Sequence, residues 1–354
     1  MFSLVLMFKF LKILFFLLCA GEAQAAVNVV VVAPQEGKYA QYGKEVVDGV
    51  NIAVKDVNSK GGILGQKINL IVADDRCNDT YAITMAQMLS LKSDEDKIDL
   101  VVGPYCLNKF SDISNIYADN NIAQIAINPL TSEARALNVI GYHKEQAKTF
   151  FDFYKLRYSG KSVALIYDLS DNNLVNTIID VQGLFEQSHL SDVLSVYSLE
   201  KYGFDYDALA KDVSKNDVVY ILADSDKVNK IAGKLISKND NIVIFRDRYS
   251  VVEGEKNLDK QFFLGLRNIK NNPYFTETLV DLRLKSMEPV GLGVYSFASL
   301  RAWANVVNKA KTLDANIIRN IILGSSDIVP WKGDNNSQLY GIYEVNDEEY
   351  TQVY

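Results

Sequence analysis

The sequence predicts an α/β protein built as two doubly wound parallel-sheet lobes. Strand-like and helix-like segments alternate from residue 27 onward, and the alternation runs through twice. The length of 354 residues also exceeds one usual compact domain. With 48% hydrophobic and 23% charged residues, the chain has the apolar material for cores of this kind. Its formal net charge of -7 argues against nucleic acid or an anionic membrane as the main partner.

The chain opens with Lys9 and Lys12, an apolar run Ile13-Leu-Phe-Phe-Leu-Leu18, and an Ala23-Gln-Ala25 end. This pattern predicts a secretory signal peptide over residues 1–25, cleaved after Ala25. The apolar core is too short for a typical spanning helix. Met7 could serve as the true start, since residues 7–25 form a complete signal. Cys19 raises lipidation, but bulky Leu18 stands where a small residue is usual. No later stretch is long and apolar enough to span a bilayer, so a soluble mature protein is expected.

Val27-Asn-Val-Val-Val-Val-Ala33 suits a strand buried on both faces of a parallel sheet. Residues 45–58 show helical spacing through Val46, Val50, Ala53, Val54 and Val57, stopped by Gly61-Gly62. Strands then follow at 67–74, 99–103 and 122–127, separated by helices at 80–92 and 109–120. The pattern restarts with a helix at 145–157. Strands at 162–167, 193–197, 218–222 and 241–245 alternate with helices at 174–187, 206–214 and 227–237. Residues 262–266 begin a return segment, and long helices are expected at 273–285 and 292–309. A terminal hairpin is expected to join 328–331 to 340–345. No Pro/Gly-rich linker divides the lobes, so several ordered crossings acting as a hinge are expected.

Enzymatic constellations are nearly absent. His143 and His189 are not spaced as metal ligands. The nucleophile elbow, phosphate-binding loop and dinucleotide fingerprint are missing from the sequence. A non-enzyme without metal or cofactor is the expectation. Asp74-Asp75 reads as a strand end with a turn-forming aspartate, the alternative being a carboxylate pair. Cys77 and Cys106 remain once Cys19 leaves. In an exported chain an even pair suits a disulfide, the alternative being two buried thiols.

Ligands of open α/β sheets bind at strand C-terminal ends. Four such loops are suggestive: Tyr39-Ala-Gln-Tyr42-Gly, Gly103-Pro-Tyr-Cys106-Leu-Asn-Lys, Asn128-Pro-Leu-Thr131-Ser132-Glu, and Arg246-Asp247-Arg248-Tyr249. Backbone NH groups and hydroxyls before a helix favour a carboxylate, and an opposing aspartate favours an ammonium. Together they would hold a zwitterion.

These residues resemble the leucine/isoleucine/valine-binding proteins, the branched-chain amino acid receptors of ABC importers. The resemblance is strongest over 27–132, on Asn58-Ser-Lys-Gly61-Gly62-Ile63-Leu64-Gly65 with Asp74-Asp75-x-Cys77, and on Gly103-Pro-Tyr-Cys106. Pro330-Trp331-x-Gly333-Asp334 and Gly341-x-Tyr343 also fit. It implies the type I periplasmic binding protein fold, two lobes joined by a three-crossing hinge. The lobes would be 26–144 plus 268–332, and 145–267 plus 333–354. It further implies a periplasmic location, a Cys77–Cys106 disulfide near the cleft, and a monomer serving permease subunits. Tyr42 matches a pocket tyrosine, Leu130 would offer backbone groups and Ser132 a hydroxyl to a ligand carboxylate, and Asp247 would meet an ammonium. Leu107 stands where a carboxylate-binding serine is usual, with its backbone NH still able to serve. Asn172 and Asp224 replace second-lobe tyrosines and would suit a polar or cationic side chain. The resemblance thus points to an amino acid or related small polar solute bound between the lobes. A sensory or scaffolding protein on the same fold is the alternative.

Overall fold

The computed structural model describes residues 26–92, 96–105, 109–127, 135–138, 140–141, 143–170, 172–247, 261–267, 273–287, 289, 291–324, 339–346 and 349–354. The signal segment expected at 1–25 and the strand expected at 328–331 lie outside these residues. Among the described residues no helix is long and apolar enough to cross a membrane.

Five parallel strands form the first sheet: β1 (Val27–Val32), β2 (Ile68–Ala73), β3 (Leu100–Val102), β4 (Ala123–Ala126) and β5 (Leu137–Asn138), in the order β2-β1-β3-β4-β5. The valine run of β1 is buried along its whole length, as a strand covered on both faces requires. Helices α1 (Ala40–Ser59), α2 (Asp79–Ser90) and α3 (Phe110–Asp119) connect the strands. Helix α1 starts five residues before the predicted start at 45. Its first turn carries Tyr42, which packs on Tyr105 rather than continuing the valine stripe.

The second sheet follows α4 (His143–Arg157). It comprises β6 (Val163–Tyr167), β7 (Leu194–Ser198), β8 (Val218–Leu222), β9 (Val243–Asp247), β10 (Gln261–Leu266), β11 (Tyr340–Asn346) and β12 (Glu349–Gln352), in the order β12-β11-β10-β9-β8-β6-β7. Helices α5 (Asn172–Gln187), α6 (Tyr206–Val213) and α7 (Ser225–Lys238) connect its parallel part. β11 pairs antiparallel with β10 on one side and with β12 on the other. Both edges of β11 are therefore taken, and its hairpin partner is β12 rather than the expected 328–331.

Three further helices, α8 (Pro273–Leu284), α9 (Leu292–Ala310) and α10 (Ala315–Gly324), lie between β10 and β11 in the chain. α9 returns to the first sheet and packs on α1, and α10 packs against β4 and β5. α1 and α9 meet at two glycines: a Cβ on Gly49 would stand 2.1 Å from the Gly293 carbonyl oxygen. Glu45 of α1 accepts the Leu292 N–H at 2.8 Å, capping a helix whose own N-cap, Gly291, has no side chain. Asn308 ties α9 to the Gly62–Leu64 turn, accepting from Leu64 N at 2.7 Å and donating to Gly62 O at 3.2 Å.

The chain thus passes between the two sheets three times, and residues beside these passages are bonded together. Tyr340 Oη donates to Ile140 O at 2.6 Å, and Arg267 N donates to Leu339 O at 3.0 Å. Tyr295 Oη donates to Arg267 O at 2.7 Å. These bonds tie the three crossings side by side into one seam between the sheets.

Candidate functional site: two opposed switch points

In each sheet the chain winds first to one side and then to the other, leaving a crevice at the strand C-terminal ends where the winding reverses. In the first sheet that point lies between β1 and β3. The loop after β1 supplies Lys38 and Tyr39, the first turn of α1 supplies Tyr42, and the loop after β3 supplies Tyr105. In the second sheet it lies between β6 and β8, where Asp168 and Asp224 follow the strands.

The first wall is aromatic. Tyr105 sits between Tyr42, at 5.8 Å between ring centroids, and Tyr39, at 6.2 Å edge to face. Lys38 Nζ lies 5.1 Å from the centre of the Tyr39 ring, a cation–π distance. The second wall is charged. Asp168, buried against the sheet, accepts from Ser170 N at 2.9 Å and Ser170 Oγ at 2.6 Å and forms an ion pair with Lys227. Lys227 reaches on to Asp224 at 3.3 Å. Asp224 is also the N-cap of α7, accepting from Asp226 N at 3.1 Å and Lys227 N at 3.2 Å.

The two walls meet through charge: Lys38 Nζ is 3.5 Å from Asp224 Oδ1. Asp168, Lys227, Asp224 and Lys38 thus form an alternating row across the opposed strand ends. Burial pushes the Asp168 carboxyl up, but the bonds from Lys227 and Ser170 outweigh it and hold it below its ordinary range. Burial likewise raises Asp224, and the Lys227 amide with the Lys38 and Lys227 charges brings it below. Lys227 loses solvent, yet Asp168 and Asp224 carry its pKa above the ordinary value.

Of the residues singled out from sequence, Tyr42 is buried in the aromatic wall and Asp224 stands in the row of charge. Asp224 is engaged by Lys38, by Lys227 and by the first amides of α7. Asn172 opens α5, directly after the Asp168 loop. Asp247 closes β9, beside Tyr220; burial raises that tyrosine's pKa, and the Asp247 charge adds to it. Leu107, Leu130, Ser132 and Cys106 lie outside the described residues. Cys77 is disulfide-bonded. Asp74 and Asp75 form turns, accepting from Arg76 N at 2.8 Å and Cys77 N at 3.0 Å. That arrangement matches the turn-forming reading.

Sequence reading missed Lys38, Asp168 and Lys227. Asp168 does carry a local signal, an aspartate at a strand end two residues before a serine that turns back on it. Lys38 carries none, because its partner lies far along the chain.

Two hinged α/β lobes with polar strand ends turned toward each other define a protein of the solute-binding class. The sequence places it within one family: the chain belongs to the periplasmic binding proteins, whose family model matches residues 26–233. It is 25% identical to an amino acid binding protein of Pseudomonas aeruginosa over 356 residues, covering 92% of each chain. A stretch of 148 residues is 30% identical to the Leu/Ile/Val-binding protein of Escherichia coli, spanning 40% of this chain and 39% of that protein. The fold superposes on the leucine binding protein LivK of Thermotoga maritima with a TM-score of 0.72, over 93% of this chain and 98% of that one, at 15% identity. The type I periplasmic binding protein fold expected from sequence is the fold of this chain.

Proposed function

We propose that this chain is the solute-binding component of an ABC importer and takes a free amino acid, or a small polar relative, between its lobes. The observation that carries the reading is the meeting of the two switch points, with Tyr42 and Tyr105 on one side and the Asp168–Lys227–Asp224 row on the other. The relative that matches along nearly the whole length is itself an amino acid binding protein. In this reading Tyr42, Leu107, Leu130 and Ser132 hold the ligand from the first lobe, and Asn172, Asp224 and Asp247 shape the second. Cys77 pairs with Cys106 and anchors the loop after β3. Residues 1–25 direct export to the periplasm, and the lobes divide at 144, 267 and 332. The protein acts as a monomer and delivers its ligand to permease subunits.

The paired state of Asp224 favours a neutral ligand side chain over a cationic one. A thermal-shift screen with single amino acids tests the proposal. At a hundred-fold excess over Kd, a ligand should add about 2.7 kcal/mol of stability. For a chain of this length that raises Tm by several degrees. No shift with any amino acid or amide would remove the proposal.

A further inference from the structure

We infer that Lys38 and Asp224 form an interlobe latch, an ion pair that biases the two lobes toward closure independently of what lies between them. The pair joins the loop after β1 in the first lobe to the N-terminus of α7 in the second, at 3.5 Å. Both ends are held before they meet. Lys38 rests over the Tyr39 ring, which leans on Tyr105. Asp224 is fixed by two amide bonds at the helix end and by Lys227, which buried Asp168 positions from behind. Such preorganisation lowers the ordering cost that makes most exposed ion pairs worthless. Lys38 and Asp224 are positioning residues in this scheme: they set the closed-to-open ratio. The inference rests on the proposed ligand site only for its second readout.

The first readout needs no ligand. Dyes on cysteines introduced by Lys55→Cys in α1 and Lys211→Cys in α6, both exposed, report lobe separation by energy transfer in the full chain. Lys38→Met keeps the stem over Tyr39, and Asp224→Asn keeps the helix cap while removing the charge. Each should lower the closed-to-open ratio about two- to five-fold, the span of a partly exposed ion pair. The double variant should fall no further than either single, because the two act through one bond. Raising salt from about 0.1 M to about 1 M shortens the screening length from roughly 10 Å to roughly 3 Å. That change should open the unmodified protein and leave the variants unmoved. Ratios that match the unmodified protein in both variants, or losses that add in the double, would overturn the latch.

The second readout is affinity for L-leucine and L-arginine by calorimetric titration. A latch weakens both by the same factor in both variants. If Asp224→Asn weakens arginine alone while Lys38→Met strengthens it, Asp224 is a ligand contact and the latch is wrong. If neither amino acid binds, the proposed ligand class fails, and lobe separation alone still decides the latch.

Discussion

Asp224 combines three roles in one carboxylate: it caps α7, accepts Lys227 and crosses the cleft to Lys38. Substitution separates these roles. Asp224→Ala should lower stability by about 1 kcal/mol through the lost cap. Asp224→Asn should recover most of that loss, read from urea unfolding midpoints. A loss as large in Asn as in Ala would assign the stability to charge rather than to the cap. At this scale the sequence was informative where chemistry is local. The turn at Asp74-Asp75 and the strand-end positions of Asp224 and Asp247 were readable. Which charge Asp224 meets was not, because that depends on Lys38 and Lys227 being brought together by two different sheets.

The helix contact with least tolerance is the crossing of α1 and α9 at Gly49 and Gly293. A Cβ at Gly49 would lie 2.1 Å from backbone, and one at Gly293 would lie 2.5 Å from the Glu45 carbonyl oxygen. Alanine favours a helix interior over glycine by up to about 1 kcal/mol. Overpacking typically costs about 1–3 kcal/mol. Gly49→Ala should therefore destabilise, and Gly183→Ala in α5, with open space around it, should stabilise. Thermal unfolding of the two variants side by side gives the sign of each. Element by element, the strands and helices of both lobes were legible from apolar period, since each buries a face or both. What escaped was short or ambiguous. β5 has two residues. α10 has isoleucine pairs that spread round the helix, so that Ile318 and Ile322 are buried while Ile317 and Ile321 remain exposed. β11 showed its strand character but not its neighbours, because antiparallel pairing with β10 is a long-range choice.

For the molecule as a whole, the charge row predicts a pH window. Asp168 and Asp224 have lowered folded pKa values, so their contribution is present above the ordinary carboxylate pKa of about 3.9 and is lost as pH falls through the folded values. Lys227 is raised, so its contribution is present below the ordinary lysine pKa of about 10.4 and is lost as pH rises through the folded value. Asp75 and Asp99 act the other way: burial raises them, and their cost develops as pH rises above the usual carboxylate range. Lys227→Met leaves Asp168 buried without its cation. The gap in Tm between this variant and the unmodified protein should be widest near neutral pH and should shrink as pH falls and Asp168 takes up its proton, first in the variant, where burial acts without the lysine, and at lower pH in the unmodified protein, where Lys227 and Ser170 hold the carboxyl below its ordinary range. A gap that stays constant with pH would mean that Lys227 acts through packing alone. The two-lobed plan was readable because a doubled alternation of period and length leaves few other architectures. The meeting of the lobes was not, since no periodicity encodes the spacing between two sheets.

The second sheet is completed by residues that come last in the chain: β10 pairs with β11 only after α9 and α10 have returned to the first lobe. One consequence concerns inheritance. No single cut in the gene releases either lobe as an uninterrupted stretch of reading frame. Duplication, fusion or exchange at one breakpoint carries away part of both. Moving one lobe whole therefore takes at least two coordinated breakpoints, whereas substitution in place takes none.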